Sequence, residues 1–413
     1  MNYKLHIDDP IVIARGDPRI NYWGPYQFPH STPTADGGLF VSWGMGNDHE
    51  AGGGIIAGSP NAVSHDGGKT WRPANEKDIR ISDVLMPNGK FFLGFGHRDA
   101  FMFPHWKKHE KDVKCNGWGY RKVYLAKDIT EYTFEPSAFE YDPVSGETTH
   151  FPIKVKWDTA AVVQMQEGYL VPVERSLSIN NIVGTIEMDG VLYHCTYSMG
   201  FDLKGNVTNF SGYCNVYVLR SFDNGRTWEC ISCVMFEDEY FRFSNCEGFN
   251  EPMMERMPDG SVVMLMRSGD TDRPSYLTRS IDGCKTWSRP VQFDVRGVFP
   301  QILTLDCGVT LASYGRNGIW VRSSGDPSGL AWDTPTEIPL SPLEEPQTCP
   351  NHPASGPVSA HRPSCCYTSL LPLDESSALL IYTDFHYPTE DGNGFQKAIL
   401  SRKLTIERNP IQN

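Results

Sequence analysis

One eight-residue pattern occurs three times in this chain, and it constrains the fold more than any other feature. The pattern Ser-x-Asp-x-x-x-Thr-Trp, with glycine at its fourth or fifth place, begins at Ser64, Ser221 and Ser280. An eroded fourth copy spans residues 323–332. Because Ser and Asp side chains bind nearby backbone groups and glycine accepts a positive φ, the pattern predicts a tight hairpin turn that its tryptophan covers. We therefore expect the repeated aspartates to be structural rather than catalytic.

A second signal consists of short apolar segments that flank turn sequences, mostly Asp-Gly or Asn-Gly, which strongly favour β-hairpins. Six such segments follow one another along the chain, at 34–43, 84–95, 185–195, 254–266, 302–313 and 369–382. A hairpin, a further strand, the repeated turn and a last strand make a four-stranded sheet. Six such sheets bury their faces when they pack radially. The sequence thus predicts an all-β fold, a six-bladed β-propeller with four-stranded antiparallel blades.

The rest of the chain fits one repetitive domain. Its 413 residues include 38 glycines and 30 prolines, and a propeller of this length forms a single unit. We therefore expect one domain over residues 1–413, with an irregular, loop-rich insertion at about 97–180. The apolar stretch at 11–15 is expected to complete the last blade and close the ring.

Charge and apolar length exclude several classes of function. The chain has 37 basic and 50 acidic residues and a formal net charge of −13, which argues against binding to nucleic acid or to an anionic membrane. No apolar stretch approaches the ~18 residues of a membrane span. The N-terminal residues lack the apolar core of a signal peptide, so a cytoplasmic protein is expected unless a leader has been removed.

The cysteines do not indicate a metal site or a disulfide framework. Their number, 11, is odd, and we expect them to be mostly reduced. Cys230-x-x-Cys233 lacks the second pair of ligands that a zinc site needs. We expect no metal and no other cofactor, and the sequence leaves the oligomeric state open.

Taken with the repeated turns, the order of several motifs resembles the sialidase (neuraminidase) superfamily, whose propellers carry such turns as Asp-boxes or BNR repeats. The resemblance covers most of the chain. Tyr26-Gln27-Phe28-Pro29 is similar to the family's Tyr-Arg-Ile-Pro strand, so Gln27 replaces one of three arginines that bind the substrate's carboxylate. Arg267 and Arg316 resemble the other two.

The same resemblance implies a set of catalytic residues. Asn250-Glu251-Pro252 is similar to the strand that carries the family's glutamate, and Tyr367, in Cys-Tyr-Thr-Ser-Leu, matches its nucleophilic tyrosine. Asp48 occupies the place of the general acid, although His49 and Glu50 beside it are equally able acids.

This resemblance implies a retaining exo-glycosidase that acts on a terminal acidic sugar. A neutral tyrosine avoids repulsion by the substrate's carboxylate, and Glu251 would take the proton of the phenol. Asp48 would protonate the leaving oxygen and then activate water. Arg98 is a candidate to replace the missing arginine, and each of these residues also has an ordinary structural interpretation.

Three functions remain open at this point. The first is a sialidase-like hydrolase for a nonulosonate, a uronic acid or a related acidic sugar, because Gln27 weakens carboxylate recognition. The second is a polysaccharide lyase or another glycosidase on the same scaffold. The third is a carbohydrate-binding propeller that retains the turns without the chemistry.

Overall fold

The computed structural model describes most of the chain. The described residues are 3–20, 24–45, 60–97, 111–115, 119–125, 136–156, 162–164, 169–172, 184–199, 214–236, 246–269, 273–341 and 363–408. This part of the chain contains 29 strands and no helix. The prediction of an all-β protein is therefore confirmed, and no helix of the described part is long and apolar enough to cross a membrane.

The described residues divide into two compact units, and each is considered by itself. Unit 1 takes the described parts of 1–80, 257–259 and 298–413, and unit 2 takes those of 81–256 and 260–297. The prediction of one domain with six blades stays a prediction.

Unit 1 contains three antiparallel sheets, with strands numbered in chain order. The first comprises β3 (Gln27–Pro33), β4 (Leu39–Gly44), β5 (Asn61–Ser64) and β6 (Arg72–Pro73). The second comprises β23 (Val298–Thr304), β24 (Thr310–Gly315), β25 (Ile319–Ser324) and β26 (Thr336–Ile338). The third comprises β27 (Ser369–Asp374), β28 (Ser377–Pro388) and β29 (Phe395–Arg408), to which β1 (Tyr3–Ile7) and β2 (Ile11–Arg15) add by pairing with β29.

Unit 2 contains two further four-stranded antiparallel arrangements that follow one another in the chain. One is formed by β15 (Thr185–Met188), β16 (Val191–Met199), β17 (Cys214–Ser221) and β18 (Thr227–Val234). The other is formed by β19 (Cys246–Arg256), β20 (Val262–Gly269), β21 (Ser275–Ser280) and β22 (Val291–Asp294). A parallel pair between β17 and β19 joins them into one nine-stranded sheet, in which β12 (Lys154–Lys156) lies parallel to β18.

The stretch at about 97–180, expected to be loop-rich, contributes strands to unit 2. A three-stranded sheet has the order β11-β10-β7, from β7 (Phe91–His97), β10 (Pro136–Asp142) and β11 (Glu147–Pro152). A four-stranded sheet has the order β13-β14-β9-β8, from β8 (Lys111–Cys115), β9 (Gly119–Leu125), β13 (Val162–Gln164) and β14 (Tyr169–Pro172).

The strand patterns follow from which faces are covered. All residues of β20 and β24 are buried, as expected for central strands with both faces covered. In β18 buried and partly exposed residues alternate, as expected for a strand with one covered face. Five of the six predicted hairpins form paired strands, and in 84–95 the pairing is reduced to a bridge between Leu85 and Phe91.

Each copy of the repeated pattern closes the turn between the third and fourth strand of a sheet. In the third copy, Asp282 accepts hydrogen bonds from the backbone N–H groups of Lys285 and Thr286, at 3.1 and 3.0 Å, and from the Ser280 hydroxyl at 2.9 Å. In the second copy, the fully buried Trp228 donates its Nε1–H to the Gly225 carbonyl at 2.9 Å. The aspartates thus replace backbone partners that a tight turn cannot supply.

The protonation of Asp282 is coupled to the stability of its turn. Burial opposes the change, but hydrogen bonds from Thr286 and Ser280 outweigh it and lower the pKa of Asp282 from 3.8 to about 2. A carboxyl whose pKa falls on folding stabilises the folded state above its unfolded pKa, and this contribution disappears as the pH falls through the folded pKa.

We predict that Asp282→Ala lowers the free energy of unfolding by about 1–2 kcal/mol at pH 7, because several backbone donors lose their acceptor. The difference from the wild type should shrink as the pH falls from 4 to 2. Urea unfolding at several pH values measures both effects. Asp306→Ala, in the exposed turn between β23 and β24, is the matched control and should change stability by less than about 0.5 kcal/mol. A pH-independent effect of Asp282→Ala would contradict this account.

Candidate active site

The same backbone irregularity occurs on the first strand of three sheets. In β19, Asn250 pairs with Arg267 and Met253 pairs with Leu265, so three residues advance on β19 against two on β20. The same interval occurs between β3 and β4 and between β23 and β24. Such a β-bulge bends the strand and redirects a side chain.

A residue with positive φ lies in each bulge and precedes a proline. These residues are Phe28, Glu251 and Phe299, with φ of 53°, 45° and 44°. Positive φ is uncommon for residues other than glycine, and residues held in this way cluster at functional sites. Glu251, the glutamate expected from the sequence to be catalytic, thus occupies the bulge of unit 2.

In unit 2, Arg267 binds two carboxylates through its two terminal nitrogens. Its Nη1 lies 2.8 Å from Oε1 of Glu251, and its Nη2 lies 3.3 Å from Oε2 of Glu247. Its Nε–H donates to the Gly269 carbonyl at 2.8 Å. The structure therefore brings together two residues expected from the sequence, Glu251 and Arg267, and adds Glu247.

This carboxylate–guanidinium cluster, formed by Glu247, Glu251 and Arg267, is largely desolvated. The side chains of Arg267, Glu247 and Glu251 are 11%, 17% and 9% exposed. Two carboxylates against one guanidinium give the cluster a formal charge of −1. Asn250, on the same strand, is buried and donates its Nδ2–H to Glu247 at 2.7 Å. Buried charges are costly to desolvate, so stability alone gives little reason to collect them at one end of a sheet.

A phenol lies near this cluster. Burial has the largest effect on Tyr197 in β16, and together with the negative charge of Glu251 it raises the pKa of the phenol. Arg267 acts in the opposite direction without reversing the shift. Burial therefore favours the neutral form of this phenol. Neither Tyr197 nor Glu247 was predicted from the sequence.

In unit 1, Tyr367 lies between two phenyl rings. Its ring stacks on Phe299 with centroids 4.6 Å apart and meets the edge of Phe28 with centroids 4.8 Å apart. All three side chains are partly exposed. Cys366, immediately before Tyr367, also has a positive φ, of 65°.

Arg316 reaches the chain segment that carries Tyr367. It is buried, and its Nη2–H donates to the Cys365 carbonyl at 2.9 Å. The neighbouring Gly315 comes so close to Cys366 that a Cβ added there would lie 2.3 Å from the Cβ of Cys366. Only glycine permits this approach, which brings the end of β24 against the segment before β27.

The remaining residues expected at the site fall into two groups. Gln27 is fully buried in unit 1 and pairs with Gly44 beside the bulge at Phe28. Asp48, with the alternatives His49 and Glu50, and Arg98 lie outside the described residues. The roles assigned to all of these residues from the sequence stay predictions. The described residues contain no group of three or more His, Cys, Asp or Glu side chains that could hold a metal ion.

A buried lysine in unit 1 was also missed by the sequence analysis. Lys397 in β29 is 1% exposed, donates to the Pro25 carbonyl at 3.0 Å and lies 4.4 Å from the centre of the Phe385 ring. Burial lowers the pKa of Lys397 from 10.5 to about 7. Lys397 directly precedes the apolar run Ala-Ile-Leu, and a lysine beside such a run was the signal available in the sequence.

We predict that the stability difference between the wild type and Lys397→Met depends on pH. Burial disfavours the charged amine, so the unfolded chain binds more protons between pH 7 and 10.5. The wild type should therefore gain up to about 1.4 kcal/mol per pH unit relative to the variant over this range. Urea unfolding from pH 6 to 10 measures the difference. Lys403→Met, on the same strand but partly exposed, should show no such trend, and a pH-independent difference for Lys397→Met would refute the expectation.

Comparison with known proteins gives likeness of structure only. No protein-family model matches the sequence, and no curated protein matches it. A protein of unknown function from Dyadobacter fermentans is similar in structure, with a TM-score of 0.61 and 18% identity over 98% of this chain and 99% of that chain. At this identity the likeness concerns the fold alone.

Two enzymes are more remote. The GH93 alpha-L-arabinofuranosidase of Fusarium graminearum has a TM-score of 0.47 and 10% identity, covering 95% of this chain and 97% of that chain. The sialidase of Trypanosoma rangeli has a TM-score of 0.44 and 13% identity, covering 92% of this chain and 55% of that chain. Likeness at this level transfers neither activity to this chain.

Proposed function

We propose that this protein is a glycoside hydrolase in which Glu251 takes part in the chemistry. The observation that carries the proposal is the position of Glu251. It is a buried carboxylate, held at a positive φ in a β-bulge and bound by Arg267 at 2.8 Å. Strained backbone and collected buried charge both cost stability, and both are found where a side chain must be aimed for catalysis.

Hydrolysis of a glycosidic bond needs a proton donor for the leaving oxygen and a nucleophile for the anomeric carbon. The bond between that carbon and the leaving oxygen breaks, the leaving oxygen takes a proton, and water supplies the hydroxyl of the released sugar. In the narrower mechanism expected from the sequence, Tyr367 attacks first and Glu251 takes its proton. Asp48 protonates the leaving oxygen and later deprotonates a water that displaces the Tyr367 oxygen from the anomeric carbon. Glu251 returns the proton to Tyr367, and the two successive displacements retain the configuration.

The choice of sugar depends on charge. The narrower proposal is a terminal acidic sugar, held through its carboxylate by arginine. Both terminal nitrogens of Arg267 already bind protein carboxylates, and the cluster carries a formal charge of −1. This arrangement opposes a third carboxylate beside Arg267. We therefore propose that an acidic substrate would place its carboxylate at Arg316.

We predict that Glu251→Gln lowers kcat by about 10²–10⁴-fold, the usual contribution of a positioned acid or base. Activity is measured by fluorophore release from 4-methylumbelliferyl glycosides of N-acetylneuraminic acid, glucuronic acid, galactose and arabinofuranose. Glu255→Gln, on the same strand and partly exposed, is the matched control and should retain activity. The melting temperature of each variant separates a chemical loss from unfolding.

Three outcomes would contradict the proposed function, and a fourth would contradict the narrower mechanism. Wild-type protein that binds these sugars without releasing the fluorophore would indicate the carbohydrate-binding alternative. An unsaturated uronide product, seen by its absorbance, would indicate a lyase. A folded Glu251→Gln variant as active as the Glu255→Gln control would remove Glu251 from the chemistry, and full activity of Tyr367→Phe would remove the tyrosine nucleophile.

A further inference from the structure

We propose that Phe28, Phe299 and Tyr367 form an aromatic surface that binds the apolar face of a sugar ring. The inference rests on the proposed glycosidase function and adds a binding role that the catalytic assignment does not contain. The geometric basis is the stacked contact of Tyr367 with Phe299 at 4.6 Å and its edge contact with Phe28 at 4.8 Å.

The exposure of the three rings and the strain of the backbone that holds two of them both favour a ligand-binding role. The three rings are partly exposed, although phenyl rings stabilise a fold most when they are fully buried. Phe28 and Phe299 also occupy positive-φ bulges, which typically cost about 1–3 kcal/mol each. Two unfavourable backbone conformations thus hold phenyl rings in partly exposed positions. Packing of the core does not require rings in such positions.

The positive-φ residues of the three bulges occupy equivalent positions on their sheets. The residue in the bulge before proline is Phe28 on β3, Glu251 on β19 and Phe299 on β23. The same backbone device therefore presents a carboxylate in unit 2 and aromatic rings in unit 1. In unit 2 the bulge holds Glu251, which we propose takes part in catalysis. We therefore assign a ligand-binding role to the two bulge residues of unit 1 as well.

Polar residues near the rings favour a sugar as the ligand. Two buried polar residues lie close to the ring-bearing residues along the backbone: Gln27 directly precedes Phe28, and Arg316 donates to the carbonyl of Cys365, two residues before Tyr367. A sugar has a face of C–H groups that packs on aromatic rings and a rim of hydroxyls that needs polar partners. A few polar groups placed around an aromatic surface match this chemistry better than that of a purely apolar ligand.

The test measures sugar binding in the 413-residue chain carrying Glu251→Gln, which is expected to slow hydrolysis. The probes are the methyl glycosides of N-acetylneuraminic acid, glucuronic acid, galactose and arabinofuranose, titrated by NMR. We expect at least one to bind, and Phe28→Leu and Phe299→Leu each to raise its Kd by about 2- to 10-fold. Phe222→Leu, at a 64% exposed phenylalanine in a repeated turn, should leave Kd unchanged.

Two further variants distinguish ring stacking from a loss of folding. Phe299→Tyr and Tyr367→Phe keep an aromatic ring and should keep Kd within about twofold of the parent. The inference is overturned if no probe binds, if both leucine variants bind like the Phe222→Leu control, or if the aromatic replacements bind as weakly as Phe299→Leu.

Failure of this inference can be told apart from failure of the proposed function. Ring-dependent binding without hydrolysis by the wild type would retain the aromatic surface and reject the hydrolase. Hydrolysis by the wild type, together with a Kd that Phe28→Leu and Phe299→Leu leave unchanged, would support the hydrolase and contradict the aromatic surface.

Discussion

The sheets of this protein depend on carboxylates that replace backbone partners in tight turns. Asp282 and its equivalents accept backbone N–H groups of their own turns. In three of the four copies the tryptophan donates its Nε1–H to a glycine carbonyl of the turn. Three of the four turns lead into the outermost strand of their sheet, whereas β18 has β12 beyond it. The outer strand is short in β6 and β26. Hydrogen bonds within the turns therefore stabilise outer strands that form few hydrogen bonds with the neighbouring strand.

A second recurring feature, a β-bulge, lies on the first strand of three sheets. It strains the backbone, whereas the aspartate turns satisfy backbone hydrogen bonds. The bulges at Phe28, Glu251 and Phe299 interrupt the ladder and hold side chains at positive φ. The aspartate turns are defined by hydrogen-bonding residues and serve stability. The positive-φ residue of the bulge is phenylalanine in two sheets and glutamate in the third. This is expected where the backbone geometry is the same in each sheet and the side-chain chemistry differs.

Much of the fold was predictable because its signals are local. Turn residues and alternating apolar residues specified five hairpins and the all-β class. Strands β8 to β14 were missed because their sequences, such as Lys-Asp-Val-Lys-Cys, lack a clear apolar alternation. Within the site, Glu251 and Arg267 were both named from the sequence and lie in contact, whereas Glu247 and Tyr197 were not predicted. Their roles depend on contacts between strands, and no pattern of short spacing encodes such contacts.

The proline that follows the positive-φ residue of each bulge affects which side chains that position can carry. At a bulge the ladder leaves one residue unpaired, and proline at positions 29, 252 and 300 has no N–H to leave unsatisfied. It also prevents the strand from slipping into a regular register, where that N–H would be required. The direction of the preceding side chain is thus fixed by the backbone and is independent of its identity. A single substitution there exchanges one functional group for another while the surrounding sheet stays in place.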